Sequence, residues 1–373
     1  MNKGLVASSF LVNFLLLNLF LSLLFFGAFL LLRRRLRPPK SSRSLSNLLL
    51  YALGLPPLLA YITLMASLVP PFLIPEDHVF HFHLRISHPY HHLCFFHSPV
   101  SLPSSLIFRG LLICSVVLIL FSAFRGLYAC WRMRGRLGWL MRHRVIEPGE
   151  KSLHPETRSL LQEFRGARGP GLHLIQAELP ISFLSGIWHP HIILSTGLLQ
   201  ALSPGQVRAL LQHEVAHRLR LDNLSQFLLS FCKNLLLFSP TGHLLFRWWR
   251  QEAELLCDEI AVYRTGRPLD LAEALLQMEK AMMNTGGSRM QPLLQSAFFS
   301  PTPSALVERR IKNILRLCDQ GLARPDPPCS RFGPLGHLIA FGMVFFLLLS
   351  LIDLWVDPLF LHCQLERIIS FLV

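Results

Sequence analysis

The sequence predicts a mainly α-helical protein with several membrane spans and an α+β domain inserted before the last of them. Three observations carry that expectation. Of 373 residues, 51% are hydrophobic and only 16% charged, too apolar a balance for a water-soluble chain of this length. Long apolar runs alternate with arginine-rich segments, the pattern of helices that cross a bilayer with basic residues kept on one side. The stretch from Glu147 to Leu322 alone is long enough to hold a separate domain.

A helix needs about 20 predominantly apolar residues to cross the hydrocarbon layer. Leu5 to Leu32, Leu48 to Ile74, Ser104 to Phe124 and Leu335 to Val356 meet that need. The first is longer than a signal-peptide core, shows no small-residue cleavage site and ends in Arg33-Arg34-Arg35-Leu36-Arg37, so it reads as an uncleaved span. The second contains Pro56-Pro57 and Pro70-Pro71, which remove backbone donors and are expected to kink or shorten it. Arg109, near the outer end of the third, can snorkel to the interface.

Orientation follows from charge. The basic segments Arg33 to Arg43 and Arg125 to Arg144 both lie in the cytoplasm if the amino terminus starts outside. That topology divides the chain into residues 1–144, with three spans and an outer loop at 75–103, a cytoplasmic domain at 145–325, and residues 334–373, with the last span and a short outer tail. The formal net charge of +14 sits mainly beside the apolar runs, which suits the inner edge of a bilayer and not a nucleic acid. The 8 cysteines lack any C-x-x-C pair or regular spacing, so neither a disulfide framework nor a thiolate zinc cluster is expected. His78, His81, His83, His88, His91, His92 and His97 crowd the outer loop. Imidazoles this dense can bind a transition metal or titrate as a sensor, but an interfacial loop of amphipathic side chains is the expected reading.

Chemistry enters midway through the inserted domain. Trp188 to Ser195 is a strand signal followed by Thr196-Gly197, as at a strand that ends near a helix start. Ser203-Pro204-Gly205-Gln206 then supplies an N-cap, a proline at the first helical position and a capping-box Gln. The helix begun there carries His213, Glu214 and His217. Histidines at i and i+4 share one face and can reach one Zn²⁺, and the Glu between them can take a proton from water held at the metal. A catalytic zinc needs a third protein ligand. The metzincin pattern would require glycine at 220 and histidine at 223, where this chain has Arg220 and Asn223. Downstream, Glu254 and Asp258 share a helical face, so the first can coordinate zinc while the second accepts the other N–H of a ligand histidine. Glu252 and Glu259 compete for the ligand role.

The run from His213 to Asn223, the apolar segment from Phe227 to Trp249, and Glu254 to Asp258 together resemble the peptidase domain of BlaR/MecR-type membrane metallopeptidases. Gly186 to Leu198 is similar to that domain's strand and turn before the zinc helix. The resemblance covers residues 145 to 320 and the arrangement of spans, and extends more distantly to the HtpX and prenyl-protein endopeptidase group. It implies a gluzincin-type domain with zinc ligands His213, His217 and Glu254, Glu214 as catalytic base and Asp258 behind the ligands. It also implies a multi-pass protein of a bacterial inner membrane that hydrolyses a protein or peptide substrate, such as a cytoplasmic regulator, in signalling proteolysis. BlaR/MecR proteins carry a large outer sensor domain, whereas only Asp357 to Val373 follows the last span here, so β-lactam sensing by this chain alone is not expected. Arg310-Ile311 resembles a later family segment; Arg310 can orient substrate or stabilise an oxyanion, but the surface of an amphipathic helix is the expected place.

Two other functions compete. A site-2-type intramembrane protease would need the zinc helix inside the bilayer, where Arg208, Arg218 and Arg220 are ill suited. A non-catalytic sensor or metal-binding protein would use the outer histidine loop. The segment from Phe227 to Trp249, interrupted by Lys233, Pro240 and His243, is expected to pack on the zinc helix at the membrane surface.

Overall fold

The computed structural model describes residues 3–35, 42–73, 155–165, 171–178, 180–187, 190–235, 240–284 and 304–319, with 145–146, scattered positions between 113 and 135, and 336. The histidine-rich loop and, apart from isolated positions, the third and fourth expected spans lie outside the described residues.

Two long helices come first, α1 (Lys3–Arg35) and α2 (Ser42–Leu73). Among the described residues these two are long and apolar enough to cross a membrane, with windows Leu16–Arg33 and Ser44–Ile62. α2 runs as one helix through both proline pairs, so the expected shortening does not occur. Pro56 and Pro57 are buried, as are Ala52, Leu53 and Ala60 around them, and the neighbouring helices hold a backbone that local chemistry alone would weaken.

The inserted domain is built on a four-stranded sheet of β1 (Val145–Ile146), β2 (Gly171–Ile175), β3 (Ser182–Ser185) and β4 (His191–Ser195). Its order is β1-β2-β4-β3. β2 and β4 run parallel in the centre, and β1 and β3 flank them antiparallel. Leu172, Leu174, Ile192 and Leu194 alternate to one face, where they meet Leu160 and Leu161 of α3 (Pro155–Arg165) and Val207, Leu210 and Leu211 of α5 (Pro204–Leu219). The strand expected at 188–195 ends by capping a helix: Ser195 Oγ accepts from Leu198 N at 3.1 Å and opens α4 (Thr196–Ala201). Gly197 is needed there, because a Cβ would stand 1.8 Å from the Glu178 carbonyl oxygen.

α5 starts where the sequence places it. Ser203 Oγ accepts from Gln206 N at 3.3 Å, Gln206 Oε1 accepts from Ser203 N at 2.9 Å, and Pro204 occupies the first turn. Losing this reciprocal cap by Ser203→Ala should destabilise the domain by about 1 kcal/mol, checked by denaturant unfolding of the solubilised chain. The helix is enclosed on several sides. Ala209 packs with Ala261, Val262, Leu271, Val307 and Ile314, and Ala216 with Leu256, Cys257 and Ile260. Alanines at these points let helices approach closely, so the chemistry-bearing helix is a packed, rigid strut.

The remaining helices are α6 (Asp222–Leu235), α7 (Pro240–Thr265), α8 (Pro268–Asn284) and α9 (Ser304–Asp319). The apolar segment from 227 to 249 is split between α6 and α7, with Pro240 at the start of the second. It does not chiefly cover α5, as expected, but packs on α1 and α2: Leu229, Leu245, Trp249 and Ala253 cluster with Phe29, Leu49, Leu50 and Leu53. The spacing of Leu245, Trp249 and Ala253 forms one stripe of α7 that matches the apolar face of α2. Trp248 stacks on Phe26 and Phe29 at 6.3 and 5.8 Å, and the Arg33 guanidinium lies 4.9 Å over its ring. Only beyond Ala253 does α7 turn its face to α5. A single helix therefore touches both the long apolar helices and the candidate site.

Candidate functional site

Four helices and a strand converge around His213. α5 presents His213 and His217 one turn apart, their rings edge to face with centroids 4.7 Å apart and their Nε2 atoms at 3.1 Å. α7 brings Glu254, whose Oε2 lies 3.6 Å from His213 Nε2 and whose Oε1 lies 3.7 Å from His217 Nε2. One nitrogen from each ring and one carboxylate oxygen fall within 4.8 Å of one another. Ligands of a tetrahedral zinc, each about 2.0–2.1 Å from the metal, stand about 3.3 Å apart. The donor set and its spacing fit that ion.

The other two carboxylates of the helical segment face elsewhere. Glu252 pairs with Arg309, and Glu259 accepts from Asn313 Nδ2 at 3.2 Å. Asp258, fully buried, stands behind His213, with Oδ1 2.9 Å from Nδ1. That contact is at ion-pair distance without hydrogen-bond alignment.

Arg310 is not on the surface of an amphipathic helix, where it was expected. It is 6% exposed and grips Asp258 with two bonds of 2.7 Å from Nε and Nη2, while Nη1 reaches Glu254 Oε2 at 3.1 Å. α9 is amphipathic, but Arg310 lies on its inward face with Val307, Ile314 and Leu317. The fork satisfies two carboxylates at once, a geometry that lysine cannot reproduce.

Sequence reading assigned no role to two further side chains. Ser182, on edge strand β3, donates from Oγ to Glu214 Oε1 at 2.7 Å, and both residues are buried. Asp222, which opens α6, has Oδ2 2.8 Å from His217 Nδ1. A lone hydroxyl on a strand has no spacing to flag it, and Asp222 stood in the motif without a visible partner. Cys257 Sγ lies 3.3 Å from the same Nδ1 and 3.4 Å from Asp222 Oδ2. Burial, joined by the Asp222 charge, pushes the Cys257 thiol well up, so it stays protonated and donates to Asp222.

Burial works against every charge in this cluster, and partners decide the outcome. It raises Asp258 and Glu254, but the Arg310 guanidinium holds Asp258 below its ordinary value and Glu254 well below. Burial also lowers His213, yet the Asp258 carboxylate 2.9 Å from its Nδ1 carries it up to about 9. Asp222 is held down by Arg220 and His217 against its own burial. Asp222, Glu254 and Asp258 thus face Arg220, Arg310 and a protonated His213, whose proton a cation bound beside the histidines would replace.

No curated protein matches the chain. A family model described as BlaR1 peptidase M56 matches residues 116–311, a stretch that contains both histidines, Glu214, Asp222, Glu254, Asp258 and Arg310. With more than half of its length matched, the chain belongs to the BlaR1 peptidase M56 family.

Proposed function

We propose that this protein is a membrane-anchored zinc endopeptidase with His213, His217 and Glu254 as metal ligands and Glu214 as general base. The observation that carries the reading is the convergence of two imidazole Nε2 atoms and a carboxylate within 4.8 Å, on the helix that also bears Glu214. Zinc bound there would polarise the scissile carbonyl and make a nearby water easier to deprotonate. Glu214 lies one residue beyond His213 on the same helix, with Oε1 fixed by Ser182, so proton transfer from water to the leaving amine falls to Oε2. Asp258 and Asp222 face the Nδ1 sides of the two histidines and favour tautomers that leave both Nε2 atoms to the metal. Arg310 holds Asp258 and Glu254 in register and is thereby engaged away from an oxyanion role.

A protein substrate suits the architecture. β3 pairs with β4 on one side and is the last strand of the sheet among the described residues, with Ser182 already against Glu214. An extended peptide laid along that edge by strand addition would run past the base. The domain packs on the end of α1 that carries Arg33 and on the first half of α2. That placement supports a cytoplasmic domain beside the first basic loop of an inner-membrane protein, and hence a cytoplasmic regulator or other protein as substrate. A site-2-type arrangement is disfavoured, because α5 lies in a sheet-and-helix domain with Arg208 exposed and paired to Glu163.

The test is zinc content and cleavage of a protein panel by the full chain in detergent, beside His213→Ala. Stoichiometric zinc and cleavage lost together in the variant support the reading; equal zinc in both would refute the ligand assignment. A pH consequence follows from His213. Without metal its pKa is about 9, so at pH 7 it is protonated, whereas a metal ligand must be neutral. Zinc binding at pH 7 should therefore release a proton from His213, and affinity should weaken about tenfold per unit as pH falls from 9 towards 7. Calorimetry in buffers of different ionisation enthalpy measures that proton.

A further inference from the structure

The junction between α5 and α6 joins the candidate metal site to the membrane helices. Arg220 caps α5. Leu221 then takes a left-handed backbone, φ 56°, at a cost of about 1 kcal/mol or more for a residue with a Cβ. The reversal is what turns Asp222, at the head of α6, back towards His217. Asn223 continues the junction by donating from Nδ2 to the carbonyls of Leu184 and Gly186 at 3.2 and 2.8 Å. Three parts of the molecule thus meet within four residues: the second histidine, the edge strand, and a span.

The span enters through Ser46, in the second turn of α2 and 2% exposed. Arg220 Nη2 donates to Ser46 Oγ at 3.4 Å, while Arg220 Nε sits 3.1 Å from each carboxylate oxygen of Asp222. Asp222 Oδ2 in turn meets His217 Nδ1 at 2.8 Å. Every member of the chain is largely buried: the Arg220 and Asp222 side chains are 14% and 8% exposed. Such a chain transmits displacement, because water is poorly placed to replace a lost partner.

We propose that Asp222 is a positioning residue for His217, and that Ser46 of α2 sets Asp222 through Arg220, so that the placement of a membrane helix governs the orientation of a metal ligand. The proposal rests on the zinc reading of the site. Asp222 holds the Nδ1 side of the ring, leaving Nε2 towards Glu254 and His213. Arg220 holds both carboxylate oxygens through Nε, and its Nη2 is anchored on α2. A shift or rotation of α2 that breaks the Ser46 contact removes one of the contacts that hold the guanidinium and loosens Asp222, and with it the ring that Asp222 orients. α7, which carries Trp249 against α2 and Glu254 at the site, would move under the same displacement.

The experiment uses the full chain in lipid nanodiscs. Zinc affinity is measured by chelator competition, and cobalt(II) substituted for zinc gives a visible spectrum that reports ligand geometry. Asp222→Asn should weaken zinc affinity by about 10- to 100-fold and change the cobalt spectrum at saturation, and Asp222→Glu should restore part of both. Ser46→Ala should move affinity in the same direction by about 2- to 10-fold and shift the cobalt spectrum the same way, while Ser46→Thr, which keeps the hydroxyl, should match the native chain. Native affinity and spectrum in Asp222→Asn would overturn the positioning role. A Ser46→Ala chain indistinguishable from native, beside an impaired Asp222→Asn, would overturn the link to the span. His213→Ala is the control: failure of the native chain to bind zinc, or unchanged binding in this variant, would reject the zinc site itself and not the connection to α2.

Discussion

Glu214→Gln should bind zinc as well as the native chain and cleave substrate about 10²- to 10⁴-fold more slowly. The substitution keeps the volume and the acceptor for Ser182, whose hydroxyl lies 2.7 Å from Oε1, so the helix and the edge strand stay in place. It removes only the ability to accept a proton. Because Glu214 is not among the three side chains that converge on one point, metal content should not change. Loss of zinc in this variant would mean that Glu214 supports the ligand set, and retained cleavage would remove it from the role of base. Single-turnover cleavage with zinc measured on the same sample separates these results.

Arg310→Met should destabilise the metal-free protein by about 3–5 kcal/mol. Methionine is apolar and fills a similar volume, so packing accounts for only a small part of the loss. Its cause is that Asp258, with no exposed surface, and Glu254 would be left without the guanidinium that makes the 2.7 and 3.1 Å contacts. Adding Asp258→Asn to the variant should recover part of the loss, since the stranded charge is then gone, and a double-mutant cycle of unfolding free energies isolates the coupling. Bound zinc offsets the same carboxylates, so the deficit should shrink in the loaded protein. A loss below about 1 kcal/mol would be the value for an exposed ion pair and would contradict the buried clamp.

Local signals carried much of this molecule. The start of α5 was legible because Ser203, Pro204 and Gln206 satisfy the orphan donors of a helix end by short-range chemistry. The i, i+4 histidines were legible because helical pitch alone puts them on one face. The two long apolar helices at the start needed only a count of apolar residues. Resemblance singled out Glu254 from its neighbours, and in the structure it lies beside both histidines while Glu252 and Glu259 pair with Arg309 and Asn313.

Other features depend on contacts distant in sequence. Arg310 read as surface because its helix is amphipathic, and nothing local says that its inward face meets Asp258 52 residues earlier. Ser182 is 32 residues from the Glu214 it touches. The turn that aims Asp222 is made by Leu221 in a conformation that favours glycine, so no turn signal marks it. Pro56 and Pro57 argue for a break that packing overrides. In each case tertiary structure supplied the partner, and the chain alone could not name it.

X-ray absorption at the zinc edge on the purified full chain reads the metal's neighbours. The expected result is one zinc with two imidazole nitrogens and carboxylate or water oxygen at about 2.0–2.2 Å and no sulfur neighbour. A sulfur shell near about 2.3 Å would place the metal instead on Cys257, in the neighbouring group with His217 and Asp222, and would contradict the assignment of His213 and Glu254.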